Sequence, residues 1–176
     1  MGRRPGPRPP VRIDGAVAFI PLTRGYETMI DADLLDIVGC HAWYAQPATP
    51  HGPYAVRTVG NRRSRTWLHR FILDADPAFE VDHINLDPLD NRRANLRLCT
   101  RAQNEQNKPI ARPGRSGFRG VAWESRRNSW RAGISFDSRM LFLGYFAECE
   151  AAARAYDEAA RSLRGEFARL NFPLPA

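Results

Sequence analysis

Lysine is nearly missing from this chain. Lys108 is the only one, so arginine carries almost all of the 26 positive charges. Guanidinium is a planar, two-pronged donor that matches phosphate oxygens better than a point-charge ammonium. Cysteine is scarce too: Cys40, Cys99 and Cys149 are odd in number, far apart and without a C-x-x-C pair. That pattern excludes a disulfide framework and a structural zinc knuckle, and it fits a reducing cytoplasm. Long apolar runs are absent, since no stretch approaches the roughly 20 residues of a membrane span. The Arg/Pro-rich start also lacks the apolar segment of a secretory signal. Neither a membrane partner nor a small-molecule cofactor is expected.

Acidic residues are outnumbered, 19 against 26, giving +7 and a pI near 10.0. The imbalance is uneven. Residues 1–67 hold 9 Arg against 5 acids, 68–108 hold 6 basic against 7 acidic, and 109–176 hold 11 Arg against 7 acids. A near-neutral, carboxylate-bearing centre between two basic arms suits a polyanionic partner with a cation held in the middle.

Turn residues divide the chain. Residues 1–12, rich in Arg and Pro, are expected to be a disordered basic tail. Residues 13–67 show short apolar runs broken by turns, a β-rich lobe in which Asp31 is positioned to cap a short helix and Trp43 and Tyr44 read as core. Residues 68–108 read as a short helix from Thr66 to Leu73, an extended run Phe79-Glu80-Val81-Asp82-His83, a polar loop, a strand Leu96-Arg97-Leu98-Cys99, and a helix capped by Thr100. Residues 109–115 form a basic Pro/Gly linker. From 116 to 173, three strands (118–124, 130–136, 140–146) precede an amphipathic helix carrying Ala152, Ala155, Tyr156, Ala159 and Leu163 to a stop at Gly165.

Asp82-His83 at a strand end offers a carboxylate for a cation and an imidazole for a proton. Alone it reads more readily as a satisfied surface histidine. Its surroundings are more specific. Leu68-His69-Arg70, Val81-Asp82-His83-Ile84-Asn85, Asp90-Asn91-Arg92-Arg93-Ala94-Asn95-Leu96-Arg97-Leu98-Cys99-Thr100 and Gln103-Asn104-Glu105-Gln106-Asn107-Lys108 together resemble the HNH endonucleases across residues 68–108. The resemblance implies a β-β-α-metal core with Asp82 a metal ligand, His83 the general base, and Asn95 a loop brace that helps orient the histidine. Asn104 stands where many members have histidine, which resembles the homing-endonuclease branch in which this asparagine is the second ligand. One Mg²⁺ or Mn²⁺ per site is implied, rather than zinc. His69, Arg70 and Arg97 match family positions and serve either phosphate contact or local structure.

Phe118-Arg119-Gly120-Val121, Trp130-Arg131-Ala132-Gly133-Ile134, Leu143-Gly144-Tyr145-Phe146, the alanine-rich stretch 151–160 and Leu170-Asn171-Phe172-Pro173 resemble the ethylene-response-factor (apetala-type) DNA-binding domain of plant transcription factors. That domain also occurs fused to HNH nucleases in phages and bacteria. It implies a three-stranded antiparallel sheet laid against double-stranded DNA, backed by one helix. Arg119 is retained, whereas Ala122, Glu124, Gly133 and Ser135 depart from the plant pattern. Arg126, Arg127, Arg131 and Arg139 are candidate phosphate contacts and Trp123 a candidate DNA contact; Trp130 and Phe142 read equally as packing.

The expected fold is therefore α+β: a nuclease core behind a β-rich lobe, then a small sheet with one helix. The expected protein is a metal-dependent DNA endonuclease of the homing type, a monomer or weak dimer that nicks one strand. Its alternative is a non-catalytic DNA-binding transcriptional regulator on a nuclease scaffold. A zinc-organised module would need Cys40, His41, His51 or Cys99, whose spacing is unsuitable.

Overall fold

Alternating apolar residues build the first layer. In a computed structural model, which describes residues 9–47, 52–60, 64–107 and 114–173, strands β1 (Arg12–Asp14), β2 (Val17–Pro21) and β3 (Glu27–Asp31) form an antiparallel meander. Ala18, Ile20 and Ile30 point to one side and are buried. A 3-10 turn (Ala32–Leu34) and α1 (Leu35–Gly39) follow, then a second meander of β4 (Tyr44–Pro47), β5 (Pro53–Val59) and β6 (Ser64–Trp67). Helix α2 (Leu68–Ile72) leads to the hairpin of β7 (Glu80–His83) and β8 (Leu96–Cys99). Val38, Trp43 and Leu68 join Ile20 and Ile30 in one core. The buried Trp43 indole donates to the Val38 carbonyl at 2.9 Å, so its polar atom is served.

The chain divides between Arg101 and Ala102 into two compact units, and α3 (Arg101–Asn107) straddles that division. In the second unit β9 (Val121–Glu124), β10 (Ser129–Phe136) and β11 (Arg139–Phe146) form an antiparallel sheet in the order β11-β10-β9. Helix α4 (Cys149–Arg164) lays Ala152, Ala153, Tyr156 and Ala160 against Val121, Ala132 and Ile134. The buried Asp157 carboxylate accepts from the Asn171 and Phe172 amides at 2.7 and 2.8 Å, clasping the tail to the helix. Asn171 Oδ1 in turn accepts from the Arg119 amide at 2.6 Å.

Three local expectations are corrected. The helix does not start at Thr66, because Thr66 and Trp67 pair with Arg57 and Val56 in β6. Asp31 makes no side-chain cap bond; its carboxylate accepts instead from the Arg93 amide at 2.8 Å. The first strand of the second unit starts at Val121, since Gly120 sits at φ +73 in the preceding turn. The tail at 1–8 and the linker at 108–113 lie outside the described residues. The architecture is mixed α+β, several small sheets with few helices.

Candidate functional site

Polar side chains are rarely enclosed unless something serves them. Of the buried polar residues described, all but Asp157 belong to the first unit: Thr28, His69, Asp82, His83, Asp90, Asn91 and Asn95. They centre on the β7–β8 hairpin.

Register sets the first pair. Asp82 lies directly across from Arg97, and Arg97 donates from Nε and Nη2 to Asp82 Oδ2 at 3.0 and 2.7 Å. The side chains are only 11% and 5% exposed, so this is an enclosed ion pair. His83, the next residue, is also buried. Its ring meets the His69 ring edge-on at 5.1 Å, and Tyr54 lies 6.1 Å away. Burial lowers the His83 pKa, against the Asn91 bond and the carboxylates of Asp82, Asp87 and Asp90, which raise it. His69 is pushed down to about 3, by burial first and then by the charges of His83 and Arg70. Both imidazoles are thus favoured neutral, the state in which a histidine can take up a proton.

The loop between the strands is fastened by short polar side chains. Asn95 Oδ1 accepts from the Asn85 amide at 2.9 Å, while its Nδ2 donates to the Asp90 carbonyl at 2.8 Å, so one carboxamide holds both ends. Asp90 takes two 2.7 Å bonds from Arg92, which lower its pKa. The bond to His83 comes from Asn91, whose Oδ1 lies 3.3 Å from Nε2. Asn91 also reaches Thr28 on β3 at 2.8 Å. Neither Asn91 nor Thr28 was assigned a role from sequence. The Asp90-Asn91 pair stood in the motif, yet nothing local marks its burial.

Arg70 spends its guanidinium on the carbonyls of Ala75, Asp76 and Phe79, closing the turn after α2. His69 is enclosed among rings. Asn104 sits on α3, beyond the division between the units. Among the described residues no group of three or more His, Cys, Asp or Glu side chains gathers around a metal position. The Asp82 carboxylate and a carboxamide oxygen are hard donors that suit a hard divalent ion in kind.

In the second unit Arg131 faces away from α4, paired with Ala122 and Tyr145. Arg127 lies 4.7 Å over the Tyr145 ring. Trp123 has the same parity as the buried Val121, on the α4 side, and packs edge-on against Trp130 at 5.0 Å. Phe142 and Met140 lie on the outer face, 58% and 62% exposed, so Phe142 is not core packing. Arg126 and Arg139 are exposed near the strand ends.

The HNH endonuclease family model matches residues 75–106, the segment from the β7 approach through nearly all of α3. Protein 3.8 of Escherichia phage T7 is 30% identical over 91 residues, covering 52% of this chain and 74% of the relative. An uncharacterised HNH endonuclease of Acanthamoeba polyphaga mimivirus is 28% identical over 163 residues, 90% of this chain and 83% of its own. An AP2-like ethylene-responsive transcription factor of Arabidopsis thaliana is 41% identical over 81 residues, but these make up only 26% of its length. No helix among the described residues is long and apolar enough to cross a membrane. On this footing the chain belongs to the HNH endonucleases and is a DNA-cleaving hydrolase.

Proposed function

We propose that this nuclease uses one Mg²⁺ or Mn²⁺ to nick double-stranded DNA and that its C-terminal domain delivers it to the substrate. The observation that carries the reading is the pair of consecutive buried residues Asp82 and His83 at the end of β7. A strand places neighbouring side chains on opposite faces, so a carboxylate and an imidazole can serve separate roles within one residue step.

Asp82 and Asn104 would hold the cation, completing a β-β-α-metal core over residues 68–108. When bound, the cation stabilises negative charge on the attacked phosphate and the departing oxygen. His83 takes the proton from the attacking water, and its lowered pKa keeps it available as a base. Asn95 holds the loop that carries the polar network. Arg97 balances the charge of Asp82. One chain with one such centre cuts one strand, as a monomer or weak dimer.

Residues 116–173 act as the grip, joined through a linker at 109–115. Arg119, Arg126, Arg127, Arg131 and Arg139 neutralise phosphates. The outer face is supported by Arg131 beside Tyr145, with Arg127 over the same ring. The placement of Trp123 on the α4 side argues against its stacking on DNA at that face.

Supercoiled plasmid is the test, incubated with Mg²⁺, Mn²⁺ or EDTA beside Asp82→Ala and His83→Ala. Metal-dependent open circles from the wild type alone are expected. Tight binding without cutting, across several substrates and metals, would replace this reading with that of a non-catalytic DNA-binding regulator.

A further inference from the structure

A carboxamide can fix which nitrogen of a neutral imidazole carries the hydrogen, provided its own orientation is fixed. Asn91 meets that condition through a chain of bonds. Thr28 has one hydroxyl hydrogen, and it is committed to the Leu89 carbonyl at 2.7 Å. Toward Asn91, Thr28 Oγ1 is therefore an acceptor and receives Nδ2 at 2.8 Å. The Pro88 carbonyl, also acceptor only, receives the same amide nitrogen at 3.2 Å. The nitrogen must face these two oxygens, which turns Oδ1 toward His83 Nε2 at 3.3 Å. Thr28 and Asn91 are both completely enclosed, and nothing from solvent competes for these bonds.

The backbone holds the same register. Asn91 donates its amide to Met29 at 2.8 Å, and the Met29 amide donates to Leu89 at 2.8 Å, a short parallel bridge between β3 and the loop.

The geometry points to Asn91 as a positioning residue that holds His83 in its Nε2–H form, making Nδ1 the nitrogen that receives the proton of the attacking water. Thr28, on the upstream meander, locks Asn91 in that orientation. The upstream lobe is then a working part of the nuclease site. The inference rests on the reading of His83 as general base.

The experiment is long-range ¹H–¹⁵N correlation of the histidine rings in metal-free full-length protein, assigned with His83→Gln. The wild type is expected to show His83 protonated at Nε2. Thr28→Val and Asn91→Leu should convert it to a mixture or to Nδ1–H, while Thr28→Ser, which keeps the hydroxyl, should restore the wild-type spectrum. In parallel, kcat for nicking should fall about 10- to 100-fold in Thr28→Val and Asn91→Leu with KM for DNA unchanged, and recover in Thr28→Ser. A wild-type His83 protonated at Nδ1 overturns the assignment without needing any variant to fold. So does an unchanged ring spectrum in a folded Asn91→Leu. An Nε2–H spectrum in a protein that never cuts supports the tautomer and removes the general-base reading, so the two failures are separable.

Discussion

Replacing Arg97 by methionine removes the guanidinium facing Asp82 and keeps most of the apolar stem. The wild-type pair has two donors on one carboxylate oxygen at 3.0 and 2.7 Å, with 11% and 5% side-chain exposure. An exposed pair contributes about 0–1 kcal/mol. Removing one member of an enclosed pair costs about 3–5 kcal/mol, because the remaining charge stays desolvated. The low exposures put Arg97→Met in the second class. Neutralising both partners, as Asp82→Asn with Arg97→Met, leaves no buried charge and should recover most of the loss. Urea titration measures the change, and hydrogen exchange over residues 80–99 assigns it to the β7–β8 hairpin, which matters in a chain of two units. If Asp82 also binds the catalytic cation, divalent metal should stabilise Arg97→Met more than the wild type. A loss below about 1 kcal/mol, or a double variant as unstable as the single one, would refute the electrostatic account.

Acid should weaken the first unit through His69. Its pKa is about 3 when folded against 6.5 as the reference value. The unfolded chain therefore takes up the proton first, and stability that is complete above pH 6.5 is lost as pH falls toward 3. The slope is about 1.4 kcal/mol per pH unit, or roughly 2 kcal/mol by pH 5. His83, also lowered, acts in the same direction. Urea midpoints at pH 7 and 5 should separate in the wild type and draw together in His69→Gln; equal pH dependence in both would contradict this. In the second unit, Gly120→Ala should cost about 2–4 kcal/mol, since φ is +73 and the new Cβ would run into the Tyr156 ring. Gly114→Ala, with open space around it, should leave the melting temperature near wild type.

Much of the second unit was readable because its signals are local. Alternation at 130–136, Asn128 and the Asp137-Ser138 turn at positive φ, and apolar spacing along α4 are all set within a few residues. The outer face was harder to read. The pairing shifts between Ala132 and Gly133, so Gly144 lies opposite the first and Phe142 opposite the second. Leu143 is the extra residue, and strict alternation fails across it. That irregularity puts both Phe142 and Tyr145 outward, which no period-2 count along β11 would give.

The same distinction holds at the nuclease site. The resemblance across residues 68–108, not spacing alone, singled out Asp82, His83, Asn95 and Asn104, because a motif records which groups the chemistry needs. Sequence could not show that Arg97 would face Asp82, which follows from hairpin register, or that Asp31 would turn from its own helix to the Arg93 amide. Nor could it show Thr28 holding Asn91, a contact across 63 positions that depends on β3 lying beside the loop. The sequence by itself determined the chemical groups and their local elements. Tertiary structure decided which of them are buried together, since desolvation and long-range pairing depend on contacts that no local window contains.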